Sequence, residues 1–324
     1  MKSAVLVAAN KVECIELTKP RINKNQNVLV KVAYCGICGS DMSKYVGDKI
    51  TSKGLILGHE FCGWVEDGPK HLLNKFVTVI PLWYCNYCDN CRDGNYQLCS
   101  NQLYLGSTID GGMQEYITVP EKYVYPIEEL QNYPKLGTLI EPLACAVHAV
   151  DLLYTKNLSY RKIGIVGFGN IGKLIKLVLM HHLQVHEEQI ITINKDTKIE
   201  DNSIDYCYEC SGTIEGLNSA ISCTKCRGNI IQIGIIYPHK LLKGNLNFDR
   251  LLRKEQILIG SWNSDFHNDW KIAYDLIKNN IDCYSKIISH TFYIEDANEA
   301  FKTKLNTNVD KVLIKVIKEN NDGI

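Results

Sequence analysis

The sequence predicts an α/β protein: a β-rich unit comes first, a unit with a doubly wound parallel sheet follows, and the chain returns to the first unit at its end. Two observations predict this. The first third of the chain reads as strands broken by frequent glycine and proline, whereas the residues after Pro142 alternate strand and helix patterns. A chain of 324 residues suits about two domains.

The individual elements follow from hydrophobic periodicity. In the first unit, Val28–Ala33 alternates and is β-branched, which predicts a strand. A helix is expected over Leu143–Leu153, with Pro142 placed at its start. The α/β unit is expected to contain strands at 163–166, 204–208, 230–234 and 257–260, helices at 171–182, 214–221 and 269–278, and the tail a last strand at 311–317.

The charge balance bounds the partners of the protein. Lys plus Arg and Asp plus Glu number 36 each, so there is no electrostatic footprint for nucleic acid or an anionic membrane, and neither is expected as a partner. No apolar run reaches membrane-spanning length and the N-terminus does not resemble a signal peptide, which predicts a cytoplasmic protein. The 14 cysteines then suggest metal binding rather than disulfides.

Four of these cysteines have the spacing C-x2-C-x2-C-x7-C: Cys85, Cys88, Cys91 and Cys99. Four thiolates so spaced can surround one zinc tetrahedrally and leave no position for water, which makes the site structural. An iron–sulfur cluster and four unrelated buried thiols are the alternatives. The polar residues between the cysteines favour zinc, since the loop has little apolar content to hold it otherwise.

A second group of zinc-binding residues comes from distant parts of the chain. Cys38 lies in GICGSD, His59 and Glu60 lie in GHE, and Glu141 precedes Pro142. Catalytic zinc sites typically have three protein ligands and keep one position open for water or substrate. A single cysteine of this kind is commonly a buried thiol, and a single His-Glu pair is commonly hydrogen-bonded. Together, however, these residues predict an open metal site.

A glycine motif follows the strand predicted at 163–166. In Gly167-x-Gly169-x-x-Gly172, the first glycine permits the tight turn, the second lets the backbone approach a pyrophosphate, and the third lets helix and strand pack closely. The backbone N–H groups at the start of the helix then receive the phosphates. The sequence therefore predicts a dinucleotide site.

The next part of this unit departs from the usual pattern. The apolar run Ile190–Ile193 ends at Asn194 and Lys195, with no carboxylate at its tip to bind a ribose hydroxyl. Only residues 195–203 separate it from the strand predicted at 204, which barely leaves room for a crossover helix. Either a strand and a helix are missing here, or Ile190–Ile193 is the third strand of the sheet.

Taken together, these motifs resemble a known family. GICGSD (Gly36–Asp41), GHE (Gly58–Glu60), the four-cysteine lobe and GFGNIG (Gly167–Gly172) are similar, in this order, to the zinc-containing medium-chain alcohol dehydrogenases. IEP at Ile140–Pro142 resembles the polyol branch, where glutamate stands where ethanol-type enzymes use cysteine. Other segments are similar to the galactitol-1-phosphate and sorbitol dehydrogenase groups.

The resemblance implies a residue-by-residue assignment. Cys38, His59 and Glu141 would bind a catalytic zinc, with Glu60 either exchanging with Glu141 as a ligand or supporting the site. Ser40 would pass the alcohol proton outward, with a turn hydroxyl as the alternative reading. The structural zinc would take Cys85, Cys88, Cys91 and Cys99, and NAD, with NADP possible, would contact Gly167, Gly169, Asn170, Ile171, Gly172 and Asn194.

The resemblance also implies the domain plan and the activity. Residues 1–145 would form a GroES-like catalytic domain with the zinc lobe at 84–100, residues 146–282 a Rossmann domain shortened near 184–204, and residues 283–324 the return. The expected reaction is hydride transfer between a nicotinamide cofactor and a secondary alcohol or ketone of a polyol or sugar phosphate, by a homodimer or homotetramer.

Other readings stay open. The alternatives within the same chemistry are a ketopentose-phosphate reductase, an aminocyclitol dehydrogenase and a threonine 3-dehydrogenase. The alternative from another class is a non-catalytic zinc- and dinucleotide-binding redox sensor or structural subunit. The pairs Cys207/Cys210 and Cys223/Cys226 are interpreted as buried thiols and His148 as structural. Lys44 is either a solvated lysine or a point charge for a substrate phosphate.

Overall fold

The computed structural model describes residues 1–49, 54–153, 158, 160–237, 245–306 and 308–317. Contacts divide the chain into two compact units. The first contains Met1–Glu141 and Ile277–Ile324, and the second contains Pro142–Leu276. Among the described residues, no helix is long and apolar enough to cross a membrane.

The first unit is built mainly of short strands joined by turns. Its strands before the second unit are β1 (Lys2–Ala8), β2 (Lys11–Glu16), β3 (Val28–Gly36), β4 (Leu55–Ile56), β5 (Glu60–Asp67), β6 (Phe76–Val79), β7 (Leu82–Trp83), β8 (Leu103–Tyr104), β9 (Tyr116–Val119) and β10 (Val124–Pro126). Two short helices, α1 (Gly39–Tyr45) and α2 (Asp89–Arg92), interrupt them.

The second unit alternates helix and strand, as its sequence pattern predicts. In chain order it contains α3 (Ile140–Asp151), β11 (Ile163–Val166), α4 (Asn170–His181), β12 (Ile190–Ile193), β13 (Ile204–Glu209), α5 (Ile214–Cys223), β14 (Thr224–Gln232), α6 (Phe248–Arg253), β15 (Ile257–Gly260) and α7 (Asp269–Asn279). The chain then returns to the first unit through α8 (Ile281–Ser285), β16 (Ile288–Tyr293), α9 (Ala297–Lys304) and β17 (Lys311–Lys315).

The centre of the first unit is a seven-stranded sheet. Its order is β10-β6-β5-β3-β17-β16, with β9 also paired to β3. β3 is the longest strand of this sheet and is buried along nearly its whole length, which explains its almost continuous apolar sequence. β17 pairs antiparallel with β3, so Leu313 lies opposite Gly36 and the end of the chain is part of the sheet that carries the GICGSD segment.

The second unit contains a five-stranded parallel sheet of order β12-β11-β13-β14-β15. Its buried residues include Ile193, Ile204, Leu217, Ile230 and Leu251, which come from both the strands and the helices that cover them. A parallel sheet with crossover helices is the Rossmann-type arrangement that the glycine motif requires. The predicted α/β fold class is confirmed.

The position of β12 resolves the alternative left open by the sequence. β12 pairs directly with β11, to which α4 connects it, so it is the second strand of the sheet and not the third. It is also the edge strand, because β13 lies on the other side of β11. Within the described residues, the outer strand and its crossover helix are therefore missing.

Several element boundaries differ from the sequence prediction, including those of one helix and two strands. The helix expected at Leu143 begins at Ile140, because its first turn accommodates Pro142, which needs no hydrogen-bond donor there. The strand expected at 230–234 instead covers Thr224–Gln232: Thr224 pairs with Ile204, and after a shift of register residues 229–232 pair with residues 206–209 of β13. Ile233 then donates its N–H to the carbonyl of Glu209. The last strand ends at Lys315 rather than at residue 317.

Candidate active site

The four cysteines of the lobe come together around one point. They lie on the turn after β7, on α2 and after the short helix at 96–98, and their sulfur atoms all lie within 4.8 Å of one another. The Sγ–Sγ distances are 4.0 Å for Cys85 and Cys91 and 3.9 Å for Cys88 and Cys99. With Zn–S bonds of about 2.3 Å, a tetrahedron has edges of about 3.8 Å, so the thiols match a zinc site in size.

Hydrogen bonds of the lobe favour the thiolate form of Cys85, whereas burial raises the pKa of Cys91 to about 12. The N–H of Cys88 donates to Cys85 Sγ at 3.4 Å, and the N–H of Cys85 donates to Cys99 Sγ at 3.3 Å. Burial opposes ionisation of Cys85, but the backbone N–H groups outweigh it and lower the pKa of this thiol to about 6. A thiolate is the form that binds metal.

The second candidate centre lies at the ends of two strands of the large sheet. Cys38 follows β3 and precedes α1, whereas His59 and Glu60 stand at the start of β5. One ligand atom from each of the three lies within 4.8 Å of the others. His59 and Glu60 are buried, and Cys38 is partly exposed, which leaves one side of the group accessible.

Glu141 belongs to the same neighbourhood but not to this close set. It stands in the first turn of α3, and its Oε1 accepts a hydrogen bond of 3.3 Å from the hydroxyl of Tyr104. Burial raises the pKa of Glu141 to about 7; the charge of His59 opposes this rise and that of Glu60 adds to it. In this structure the compact triad is therefore Cys38, His59 and Glu60, with Glu141 beside it.

Electrostatics around His59 show why this centre suits a cation. Burial alone would lower the pKa of His59, yet the negative charges of Asp41, Cys38 and Glu141 raise it to about 10. The imidazole therefore sits among excess negative charge, which a divalent cation would neutralise. The donors, a thiolate, an imidazole and carboxylates, are those that zinc prefers, so the residues fit the metal.

Two residues that the sequence analysis did not single out support the ligands. Asp41 is fully buried: its Oδ2 accepts from the N–H of Cys38 at 3.1 Å and its Oδ1 from the N–H of Gly58 at 3.3 Å. Its Oδ1 also lies 3.7 Å from His59 Nδ1. Asp41 thus ties together the two segments that carry the metal ligands, as second-sphere carboxylates commonly do.

The other is Lys311, which lies on β17. Its Nζ is 2.6 Å from Glu60 Oε2, and both side chains are almost completely buried. The only sequence signal was a lysine at the start of a largely apolar strand. Its contact with Glu60 joins residues that are 251 positions apart, so no local pattern indicated it.

Ser40 lies two residues after Cys38, on α1, and is partly exposed. Its carbonyl accepts a hydrogen bond of 2.8 Å from Ser43 Oγ, which holds this turn in place. The position is compatible with a hydroxyl that faces a bound substrate. The assignment of Ser40 as a proton relay stays a prediction.

The glycine loop has the geometry that its three glycines predict. Gly167 has φ of +84°, and a Cβ there would lie 2.6 Å from the N atom of Ser211. A Cβ at Gly172 would lie 2.3 Å from the carbonyl oxygen of Gly167, so helix and loop pack in direct contact. At Gly169 no atom lies within 4 Å of the Cβ position, so space is open where a pyrophosphate would approach.

Neighbouring residues complete this site. α4 begins at Asn170, whose Oδ1 is buried without a hydrogen-bond partner among the described residues, and Ile171 follows in the first turn. Asn194, after β12, accepts a hydrogen bond of 3.3 Å from the N–H of Phe168, which links the strand tip to the loop. Glu209, missed by the sequence analysis, is buried and accepts from the N–H groups of Ser211 and Gly212 beside Gly167.

The features interpreted as structural agree with the prediction only in part. Cys207 and Cys223 are buried in the second unit and Cys210 is partly buried, but Cys226 is exposed. In the part of the chain that the structure describes, the only groups able to hold a metal are the two centres above. His148 Nδ1 lies 3.1 Å from Asp269 Oδ2, which supports a structural role.

Two family models match the chain. The model for the alcohol dehydrogenase GroES-like domain matches residues 24–129, and the model for zinc-binding dehydrogenases matches residues 181–279. Fold and candidate sites thus define an enzyme class, the zinc-dependent oxidoreductases that use a nicotinamide cofactor. The chain belongs to the zinc-containing medium-chain alcohol dehydrogenase family.

Several of its relatives are dehydrogenases of polyols or polyol phosphates. The chain is 29% identical to D-arabitol-phosphate dehydrogenase of Enterococcus avium, over 93% of this chain and 92% of that protein. It is 26% identical to galactitol 1-phosphate 5-dehydrogenase of Escherichia coli, over 83% and 85%. A zinc-binding dehydrogenase of Sinorhizobium meliloti bound to NADP superimposes with a TM-score of 0.83 at 25% identity, over 97% of this chain and 99% of that chain.

Proposed function

We propose that this enzyme transfers a hydride between a secondary alcohol of a polyol, or the matching ketone, and a nicotinamide cofactor. The observation that supports this most strongly is the cluster of Cys38, His59 and Glu60, with Glu141 beside it and one side accessible. The same chemistry is supported by relatives that act on arabitol phosphate, sorbitol, galactitol 1-phosphate and scyllo-inosose.

The residues divide the work as follows. Cys38, His59 and the two glutamates would hold zinc, which would supply Lewis acidity to the reacting alcohol when bound. Lys311 holds Glu60 by a buried ion pair. Glu60 and Glu141 would be two carboxylates for one ligand position, and Glu60 would either exchange with Glu141 there or support the site from outside it.

The proton of the alcohol leaves through Ser40. Its Oγ accepts the proton from the substrate hydroxyl and passes its own proton outward to solvent or to the cofactor ribose, so the hydroxyl is unchanged after each turnover. Asp41 keeps the segments of Cys38 and Gly58 in register, which fixes the ligands before substrate binds.

The cofactor binds at Gly167, Gly169, Asn170, Ile171, Gly172 and Asn194 in the second unit. We assign NAD as its cofactor, in line with the polyol branch that the sequence resembles. No carboxylate stands at the tip of β12, however, and Asn194 with Lys195 would tolerate a 2′-phosphate, so NADP is the second candidate. Rates with the two cofactors at equal concentration distinguish them.

The first experiment measures turnover by purified enzyme on a panel of polyols, polyol phosphates, aminocyclitols and L-threonine, together with ketopentose phosphates in the reverse direction. We expect oxidation of a polyol-type substrate. Cys38→Ala should abolish turnover and lower the zinc content by one ion per chain, whereas Cys14→Ala, which belongs to neither cluster, should change neither. Full activity of a metal-stripped Cys38→Ala variant would contradict the proposal.

The same panel tests the alternatives. Activity confined to a ketopentose phosphate, an aminocyclitol or L-threonine would reassign the substrate within the same chemistry; L-threonine 3-dehydrogenase of Vibrio parahaemolyticus, for example, is 25% identical over 92% of this chain. Cofactor binding without turnover on any compound would indicate the non-catalytic redox sensor or structural subunit instead.

We also propose a homodimer or homotetramer in the cytoplasm. Edge strand β15 pairs only with β14 among the described strands, and its Ile257 and Leu258 are 52% and 40% exposed, which is unusual for a strand of a parallel sheet. The zinc-binding thiols must stay reduced, which the cytoplasm ensures. Light scattering of the purified protein measures the oligomeric state, and cell fractionation tests the cytoplasmic location.

A further inference from the structure

Two carboxylates lie beside the candidate metal centre, and a different residue holds each of them. Glu60 Oε2 lies 2.6 Å from the Nζ of Lys311, on β17. Glu141 Oε1 accepts a hydrogen bond of 3.3 Å from the hydroxyl of Tyr104, on β8. Glu60 belongs to the close set of candidate ligands, whereas Glu141 lies outside that set. The two glutamates thus differ both in their partners and in their positions relative to the other ligands.

Tyr104 also contacts the centre through its ring. The ring centroid lies 5.4 Å from that of the His59 imidazole, and the two ring planes are inclined by 67°, so the rings meet edge to face. The same side chain therefore packs against one candidate ligand and donates a hydrogen bond to the carboxylate of Glu141. Two contacts at its two ends leave the Tyr104 side chain little freedom to turn.

The backbone of Tyr104 is fixed as well. Tyr104 pairs with Leu82 in a two-stranded sheet, and its N–H donates to Thr108 Oγ1 at 2.7 Å. Its carbonyl accepts from the N–H of Thr108 at 2.9 Å, which closes the following turn. Within this turn, a Cβ at Gly106 would lie 2.7 Å from the N atom of Gly58, so the turn packs directly against the segment that carries the candidate ligand next in sequence. The hydroxyl is therefore presented to Glu141 from a backbone that is anchored at the metal centre itself.

We propose that Tyr104 is a positioning residue that decides which glutamate completes the metal centre: its hydroxyl holds Glu141 beside the close set, so that Glu60 provides the carboxylate ligand. This rests on the proposed function and chooses between the two roles that it leaves open for Glu60. A hydrogen bond to a charged group shifts an equilibrium by about 10- to 100-fold, which is enough to select one of two otherwise similar carboxylates.

The opposite role for Tyr104 makes the opposite prediction. If the hydroxyl oriented Glu141 as a metal ligand, its removal would loosen that ligand, and loss of such a supporting hydrogen bond typically weakens metal binding by about 10- to 100-fold. If it keeps Glu141 out of the ligand set, its removal frees a second carboxylate for the metal. Zinc affinity should then stay the same or increase, so the sign of the change separates the two roles.

The first experiment uses Tyr104→Phe, which keeps the ring that packs against His59 and removes only the hydroxyl. Equilibrium competition with a chelator measures the affinity for each of the two zinc ions. We expect the variant to bind the catalytic ion at least as tightly as the wild type. The ion of the four-cysteine lobe is the internal reference, and Tyr133→Phe, an exposed tyrosine of the same unit, should change neither affinity. Catalytic zinc bound about 10-fold more weakly by Tyr104→Phe would overturn the proposal.

The second experiment asks which glutamate binds the metal, with and without the hydroxyl. Glu141→Gln should change the zinc affinity by less than about 3-fold in the wild type, but should weaken it by about 10-fold or more in Tyr104→Phe. Glu60→Gln should show the reverse, with the larger loss in the wild type. A structural role of the Tyr104 hydroxyl would not produce this coupling, because it would add the same cost to both glutamate variants.

The comparison does not depend on every variant folding. Glu60→Gln leaves Lys311 buried without an anionic partner and can be unstable for that reason. The effects of Glu141→Gln in the two backgrounds then decide the question, since neither Glu141→Gln nor Tyr104→Phe removes the partner of a buried charge. Equal effects of Glu141→Gln with and without the hydroxyl would refute the positioning role.

Failure of this inference can be told apart from failure of the proposed function, because the zinc measurements need no turnover. Oxidation of a polyol without coupling between Tyr104 and Glu141 keeps the dehydrogenase activity and rejects the positioning role. Coupling without turnover on any compound rejects the proposed function and keeps the role of Tyr104. A wild-type protein that binds no zinc beyond the ion of the lobe would reject both.

Discussion

The three glycines of the nucleotide loop should respond differently to the same added methyl group. Gly169→Ala, Gly172→Ala and Gly167→Ala each add one Cβ, but the structure gives each Cβ a different environment. We expect Gly169→Ala to remain as stable as the wild type and to lose cofactor affinity. We expect the other two variants to be destabilised.

The magnitudes follow from the distances. At Gly172 the new Cβ would lie 2.3 Å from the carbonyl oxygen of Gly167, about 1 Å closer than ordinary contact, and such overpacking costs about 1–3 kcal/mol. At Gly167 a side chain must also adopt φ of +84°, which adds about 1–2 kcal/mol. At Gly169 the space is open, so folding is affected by less than about 1 kcal/mol.

Two assays separate the effects. Thermal unfolding should show Gly172→Ala and Gly167→Ala several degrees below the wild type, since about 1 kcal/mol shifts Tm by about 2–4 °C in a protein unit of this size. Fluorescence titration with NADH should show the affinity of Gly169→Ala reduced by about 10-fold or more at an unchanged Tm, because the methyl group occupies the space through which the backbone approaches the pyrophosphate.

The reasoning would be refuted by either of two results. If Gly169→Ala lowered Tm as much as Gly172→Ala, the open space at Gly169 would not describe the folded protein. If Gly169→Ala bound NADH as tightly as the wild type, the loop would not approach the pyrophosphate at this residue, and the cofactor assignment would have to change.

Three further predictions test the metal centres and one helix end. Cys91→Ser should lower the zinc content by one ion per chain and make the lobe sensitive to limited proteolysis, while NADH binding persists; a variant that keeps all its zinc would count against the lobe. Lys311→Met should cost about 3–5 kcal/mol in urea unfolding, because it leaves Glu60 buried without its partner, and Lys311→Arg should recover much of this. Lys254→Met should cost about 2 kcal/mol, since the Lys254 ammonium donates to three carbonyls at the end of α5; an unchanged unfolding midpoint would show that water replaces it.

The edge position of β12 bears on the proposed cofactor site. β12 is the edge of the sheet, and Asn194 at its tip accepts a hydrogen bond from the N–H of Phe168 in the glycine loop. The Asn194 side chain thus holds the loop by this hydrogen bond. It does so from the position at which related sheets present a carboxylate that binds the ribose. Among the described residues, this strand end has no neighbouring strand on its outer side.

Much of the protein could be predicted from local sequence. The spacing of Cys85, Cys88, Cys91 and Cys99 predicts a chelating loop because all four thiols lie within 15 residues, so chain geometry alone can bring them together. The loop from Gly167 to Gly172 and its flanking strand and helix were predicted for the same reason. Each of these features is a property of one continuous segment.

Only the tertiary structure decided which distant groups meet. The pair of Glu60 and Lys311 forms because β17, from the end of the chain, joins the sheet beside β3, and no periodicity within either segment reports that pairing. The placement of β12 at the sheet edge depended likewise on its pairing with β11. Short-range spacing fixes local geometry, whereas contacts between remote segments depend on how the whole chain packs. In this protein, that packing set the charges around the candidate metal ligands.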